Sequence, residues 1–239
     1  MKKQRIRLGW EFFPPGTKAG EESHFEGHPV IDRQGLTSTP NVLQAVHHGC
    51  AGTLLGRVEV SGAVTVGVDR MVSTHRKVLW LVEVKDLLRE FALRCGERAI
   101  KYTHEADPRL QETIDLYRKW RDTDFFKNSE VLATRMEIME LADHRAKTIG
   151  EYSPESYAAG VVAWATDLDP LHVRKNVWSA AFCLSVLHPR TGVNVTMLED
   201  KEKAGALWEE NMKRIATQLG GMVNAKHRKE VQSGLPKES

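Results

Sequence analysis

His47-His48-Gly49-Cys50 is the densest run of metal-capable side chains in this sequence, and His24, His28 and His75 add imidazoles to the same N-terminal third. Imidazole and thiolate are the groups zinc takes in tetrahedral sets. Adjacent histidines on one helix end point in different directions, however, and the spacing His47, His48, Cys50 matches no ligand pattern. A helix C-terminus favours cationic side chains in any case, so His47 and His48 also fit there without a metal. We therefore expect no metal and no cofactor. Gly-x-Ser-x-Gly does not occur, and neither do the phosphate-cradling patterns Gly-x-Gly-x-x-Gly and Gly-x-x-x-x-Gly-Lys-Ser/Thr. Glu97 with Arg98, and Asp115 with Arg118, read as helix-surface pairs of small value.

A second set of side chains has a possible chemistry. Arg7 on an early strand, the Thr37-Ser38-Thr39 element and Glu59 on a later strand are polar groups that one site could bring together. The alternative reading makes Ser38 and Thr39 a helix cap and Glu59 an exposed position on an alternating strand. A third set is aromatic. Trp120, Arg121, Phe125 and Phe126 fall close together, and such a group is either an interface hot spot or the packing of a helix junction.

The elements that would carry these residues change character once. Residues 3–13 read as a strand that ends at Pro14-Pro15-Gly16. Thr39-Pro40 starts a short helix with Val42, Leu43 and Val46 inward, and Gly49 is its left-handed stop. Leu54, Val58 and Val60 then pair through a Ser61-Gly62 turn with Val64, Val66 and Val68. Arg76 to Val84 is apolar on both faces and reads as a central strand. From Asp86 the apolar period becomes helical, with Leu87, Leu88, Phe91, Ala92, Cys95 and Ala99 in phase. Asp86 is then a tight strand-to-helix turn, and both halves behave as one rigid body. Asp107-Pro108, Ser153-Pro154 and Asp169-Pro170 each start a further helix, one more covers about 128–148, and the last runs from 200 to 219 and stops at Gly220-Gly221. Trp80 and Trp178 read as core.

This pattern predicts an α+β protein. A small β-rich N-terminal unit, residues 1–85, packs on a C-terminal antiparallel helical bundle or short solenoid, residues 86–223. Residues 224–239 form a polar basic tail, flexible, with Lys226, Arg228 and Lys229. The chain has 239 residues, 41% of them hydrophobic, which is enough to bury real cores. A formal net charge of +2 argues against a nucleic-acid partner. No apolar window of about 18 residues occurs, so we expect no membrane association and a cytoplasmic location. Cys50, Cys95 and Cys183 are sparse and odd in number, the pattern of a reduced compartment rather than a disulfide framework.

Two segments resemble known sequences. Gly9-Trp10-Glu11-Phe12, GLTSTPNVLQAV (35–46), GRVEVSGAV (56–64) and DRMVSTHRKVLW (69–80) are similar to an N-terminal module of an uncharacterised family of phage and bacterial proteins. Thr37 stands where that family usually has histidine, and Arg70 where it has lysine. LREFALRCGERAI followed by DPRLQETIDLYRKW resembles the start of an alanine-rich helical domain in immunity-like bacterial proteins, without that domain's glycine after Trp120. GLTSTPNVLQA is also loosely similar to the glycine, small-residue and helix step of ADP-ribosyltransferases, and that resemblance implies that Arg7, Thr37-Ser38-Thr39 and Glu59 hold a nicotinamide half and a ribose, the glutamate orienting the ribose and stabilising an oxocarbenium-like centre.

The resemblance implies a non-catalytic phage or mobile-element accessory protein, in the host cell cytoplasm if phage-encoded, that inhibits or protects a protein partner. Two alternatives stay open: an ADP-ribosyltransferase-like enzyme using the N-terminal unit, and an assembly protein that oligomerises through its helices.

Overall fold

The computed structural model describes residues 6–31, 33–49, 52–103, 106–120, 129–148, 153–167, 172–187 and 194–234. It is an α+β protein whose chain divides into two compact units, residues 1–87 with 216–239, and residues 88–215.

The first unit is built on strands β1 (Arg7–Phe13), β2 (Glu22–His24), β3 (Leu36–Ser38), β4 (Leu54–Val66) and β5 (Met71–Glu83), all antiparallel, with helix α1 (Val42–His48) between β3 and β4. β4 lies between β1 and β5, and β5 takes β3 and β2 on its other edge. Thr39, the residue after β3, exchanges both backbone hydrogen bonds with Trp10 at 2.8 and 2.9 Å. That pair joins β3 to β1, so β1, β4, β5 and β3 close into a ring. Closure removes the unpaired edges that an open sheet would leave. Phe13, Val58, Val60, Met71 and Val78 pack together on one face of the ring. Gly9 fits that face because it has no side chain: a Cβ there would lie 2.7 Å from Ser38 Oγ. Trp10, Phe12, Leu55 and Val82 share the opposite face by register.

Three local expectations change. β4 does not turn at Ser61-Gly62 but continues to Val66, and the register slips between Ser61 and Val64. Gly62 has φ +77°, so its left-handed backbone supplies a bulge instead of a turn. The reversal comes later, at Gly67–Arg70, where Gly67 N–H donates to the Arg70 carbonyl at 2.8 Å. Thr39 is occupied by the ring closure, so Asn41 caps α1 in its place, its side chain accepting from Gln44 N–H at 3.0 Å. Gly49 follows α1 with φ −61° and ψ 157°, extended and not left-handed.

Val84 alone separates β5 from α2 (Lys85–Tyr102), a turn as tight as the periodicity at Asp86 requires. The second unit continues with α3 (Pro108–Trp120), α4 (Ser129–Thr148), α5 (Pro154–Ala165), α6 (Val173–Ser185), a 3₁₀ turn at Val195–Met197 and the first half of α7 (Lys201–Gly234). Ser153 caps α5 through Ser156 N–H, with Pro154 in the first turn. Asp169-Pro170 lies outside the described residues, and α6 starts at Val173. Small residues set the α5–α6 packing: Ala158, Ala159, Ala180 and Ala181 are all buried. Gly96 on α2 is needed where Ile114 of α3 approaches, since a Cβ would meet its Cδ1 at 2.9 Å.

α7 departs most from expectation. It runs unbroken through Gly220-Gly221 to Gly234, so residues 224–234 are helix and not a flexible tail. Its second half belongs to the first unit. Ala216, Leu219 and Val223 are buried there, and Gly220 sits against Val42 of α1, where a Cβ would be 3.7 Å from Cγ1. The glycine that looked like a stop lies inside a continuous helix, where a Cβ would make only ordinary contact with α1.

Candidate functional site

The proposed nicotinamide and ribose residues do not converge. Arg7 pairs with Val60, and Glu59 pairs with Leu8, so Arg7 and Glu59 point to opposite faces of the sheet. Arg7 is exposed, while Ser38 is buried and its Oγ finds no hydrogen-bond partner among the described residues. Ser38 is a ring residue packed against Gly9, not a bracing group at a cleft.

Of the histidine set, His48 is drawn into an ion-pair cluster, while His24 and His75 meet edge-on at 4.6 Å. His48 Nε2 lies 2.5 Å from Asp69 Oδ2, and its Nδ1 lies 3.3 Å from Arg70 Nη2. Arg70 Nε also reaches Asp69 Oδ1 at 3.2 Å. Both nitrogens of His48 are therefore engaged by the β4–β5 hairpin, a use that the sequence spacing does not reveal. Burial opposes ionisation of Asp69, yet the hydrogen bond from Arg70 and the charge of His48 hold its carboxyl below the usual range. Burial, with His48 beside it, lowers His47. Cys50 lies outside the described residues. Among the described residues, no group of three or more His, Cys, Asp or Glu side chains is placed to hold a metal.

Trp120 ends α3, and its side chain lies outside the described residues together with Arg121, Phe125 and Phe126. A different aromatic group stands on the second unit. Trp178 and Phe182 are four residues apart on α6, ring centroids 6.4 Å apart, and Phe182 meets Trp208 of α7 edge-on at 6.3 Å. Phe182 is 42% exposed, and both tryptophans are half-buried. Trp178 is thus not core, because the core face of α6 is already filled by Val177, Ala180, Ala181 and Leu184. The signal in the sequence was the i, i+4 spacing of Trp178 and Phe182 out of phase with those small residues. Their partner Trp208 sits on a helix whose register no short-range pattern discloses.

Among the described residues, the one strongly perturbed carboxyl is Glu11. Arg76 Nη1 donates to its Oε1, Arg76 Nη2 donates to Ser23 Oγ at 3.2 Å, and the guanidinium lies 5.2 Å from the Phe13 ring centroid. Glu11 Oε2 and Arg76 Nε are buried and have no hydrogen-bond partner among the described residues. Burial raises Glu11 to about 7, against the pull of Arg76. Such a group is a candidate acid or base wherever a substrate can reach it, but structural ion pairs perturb carboxyls too.

No family model, curated protein or solved structure matches the chain. What the protein does has to be read from its own surface.

Proposed function

We propose that this protein acts by binding another protein through the Trp178, Phe182 and Trp208 patch, as an accessory factor of a phage or mobile element that inhibits or protects its partner. Phe182, exposed between the half-buried Trp178 and Trp208, is the observation that carries this reading. Soluble proteins bury aromatic area when they can, and two tryptophans around an exposed phenylalanine are the composition of a binding hot spot. Arg7 and Glu59 on opposite faces of the sheet, with Ser38 buried, weigh against the transferase alternative. The phage and immunity-like setting rests on the resemblance alone, which falls mostly within residues 35–120.

The test compares the full chain with Phe182→Asp, a change at an exposed position that should leave the circular dichroism spectrum intact. Wild type immobilised on a resin should capture a discrete bacterial protein, and isothermal titration with that protein should show at least tenfold weaker binding by the variant. Equal capture by both chains, or no capture by either, would sink the proposal. A wild-type homo-oligomer that Phe182→Asp dissociates would favour the assembly reading instead.

A further inference from the structure

Glu90, Arg94, Glu97, Arg98, Lys101 and Arg118 line a solvent-open groove of about 390 Å³ between α2 and α3. All six belong to the second unit. Glu90, Arg94, Glu97, Arg98 and Lys101 repeat at helical spacing, so α2 turns one face into the groove. Arg118 from α3 donates to Glu97 at 2.5 Å and to Glu90 at 3.3 Å, and Arg94 Nε donates to Glu90 at 3.1 Å. Both carboxylates are therefore already engaged by guanidinium groups. Arg98 and Lys101 have no ion-pair partner among the described residues. The lining carries a surplus of two positive charges.

A guanidinium fork matches two phosphoryl oxygens, and an ammonium beside it adds a point charge. A carboxylate has lone pairs left after it has accepted from an arginine, and these suit hydroxyl donors. The volume lies within the range of small-ligand sites, about 300–1,000 Å³, although a lining of charged side chains excludes an apolar occupant. We propose that this groove binds a small phosphorylated ligand bearing hydroxyl groups, of the sugar-phosphate class. The phosphoryl group lies on Arg98 and Lys101, with Arg94 beside it, and the hydroxyls donate to Glu90 and Glu97. Arg118 is a positioning residue that holds both carboxylates in place. None of the aromatic residues of the protein-binding patch lines the groove, so the two proposals stand or fall separately.

Isothermal titration of the full chain with ribose 5-phosphate tests this, with inorganic phosphate and ribose as separate probes. Wild type should bind ribose 5-phosphate saturably at one site, phosphate more weakly and ribose not at all. Arg98→Ala/Lys101→Ala should weaken ribose 5-phosphate at least tenfold. Lys203→Ala/Lys229→Ala removes the same charge from exposed positions elsewhere and should leave binding unchanged. The proposal is overturned by any of three results: no saturable binding by wild type, equal loss in both double variants, or phosphate binding as tightly as ribose 5-phosphate.

Discussion

Trp80 and His227 stack face to face, with ring centroids 4.1 Å apart and planes 7° from parallel. Trp10 meets Trp80 edge-on at 5.5 Å, and the Arg57 guanidinium lies 4.7 Å over Trp10. The end of α7 is thereby fastened to a column of side chains on the sheet of the first unit. This explains how the helix survives Gly220-Gly221, which costs about 2 kcal/mol relative to two alanines.

Removing His227 should loosen that fastening. We expect His227→Ala to lower stability by about 1 kcal/mol, the usual worth of a ring pair beyond its area. Amide hydrogen exchange across residues 224–234 should accelerate, and His227→Phe should restore protection. Unchanged exchange in the alanine variant would mean that Val223 and Leu219 hold the helix by themselves.

Glu11 gives the first unit a pH dependence with a definite sign. Its folded value of about 7 exceeds the ordinary 4.5, so between these the folded state keeps a proton that the unfolded chain has lost. The stability contributed is full below pH 4.5 and is lost as pH rises through 7, a change on the order of 3 kcal/mol at about 1.4 kcal/mol per unit. Glu11→Gln copies the protonated carboxyl. Urea titrations should find the variant equal to wild type at about pH 4.5 and more stable at about pH 8. A variant that is less stable at pH 8 would show that the charged pair with Arg76 prevails there.

The bulge at Gly62 admits no side chain. A Cβ would lie 2.1 Å from Thr74 Oγ1 and 2.4 Å from His75 Nδ1, on a backbone with φ +77°. Gly62→Ala should destabilise by about 2 kcal/mol or more, whereas an alanine at a permissive glycine is neutral or mildly stabilising. Gly205→Ala is the control, since an added Cβ there meets nothing within 4 Å and the residue is helical. Thermal melts that rank these two the other way would contradict the bulge.

Much of the fold was legible in local pattern. Pro154 after Ser153 and the helical phase of Leu88, Phe91, Cys95 and Ala99 follow from short-range chemistry, and each is where periodicity puts it. What escaped was decided at long range. Thr39 was read as a cap because nothing near it in sequence reveals Trp10 as its partner. Gly62 and Gly220 read as turn and stop because a glycine looks the same in sequence whether it serves a reversal, a bulge or the interior of a long helix. Glu97 was assigned a neighbour on its own helix, but its partner is Arg118 on the next.

That interhelical pair is testable by acid. The hydrogen bond from Arg118 holds the Glu97 carboxyl below its usual range. A depressed carboxyl contributes stability above its unfolded value and loses it as pH falls through the folded one. Arg118→Met should therefore cost about 1 kcal/mol at neutral pH, the scale of a partly exposed pair, and much less in strong acid. A pH-independent penalty would assign the arginine's role to packing of its alkyl stem.

Because the first unit is assembled from two separated stretches of chain, the order of synthesis matters. A ribosome delivers the strands first, then all of residues 88–215, and only afterwards the helix that covers Val42 and stacks on Trp80. For that interval the nascent strands carry Trp80 without its cover, exposed to chaperones or to neighbouring chains. A circular permutant that encodes residues 216–234 directly ahead of β1 would close the interval, and its yield in a cell-free translation would report how much the wait costs.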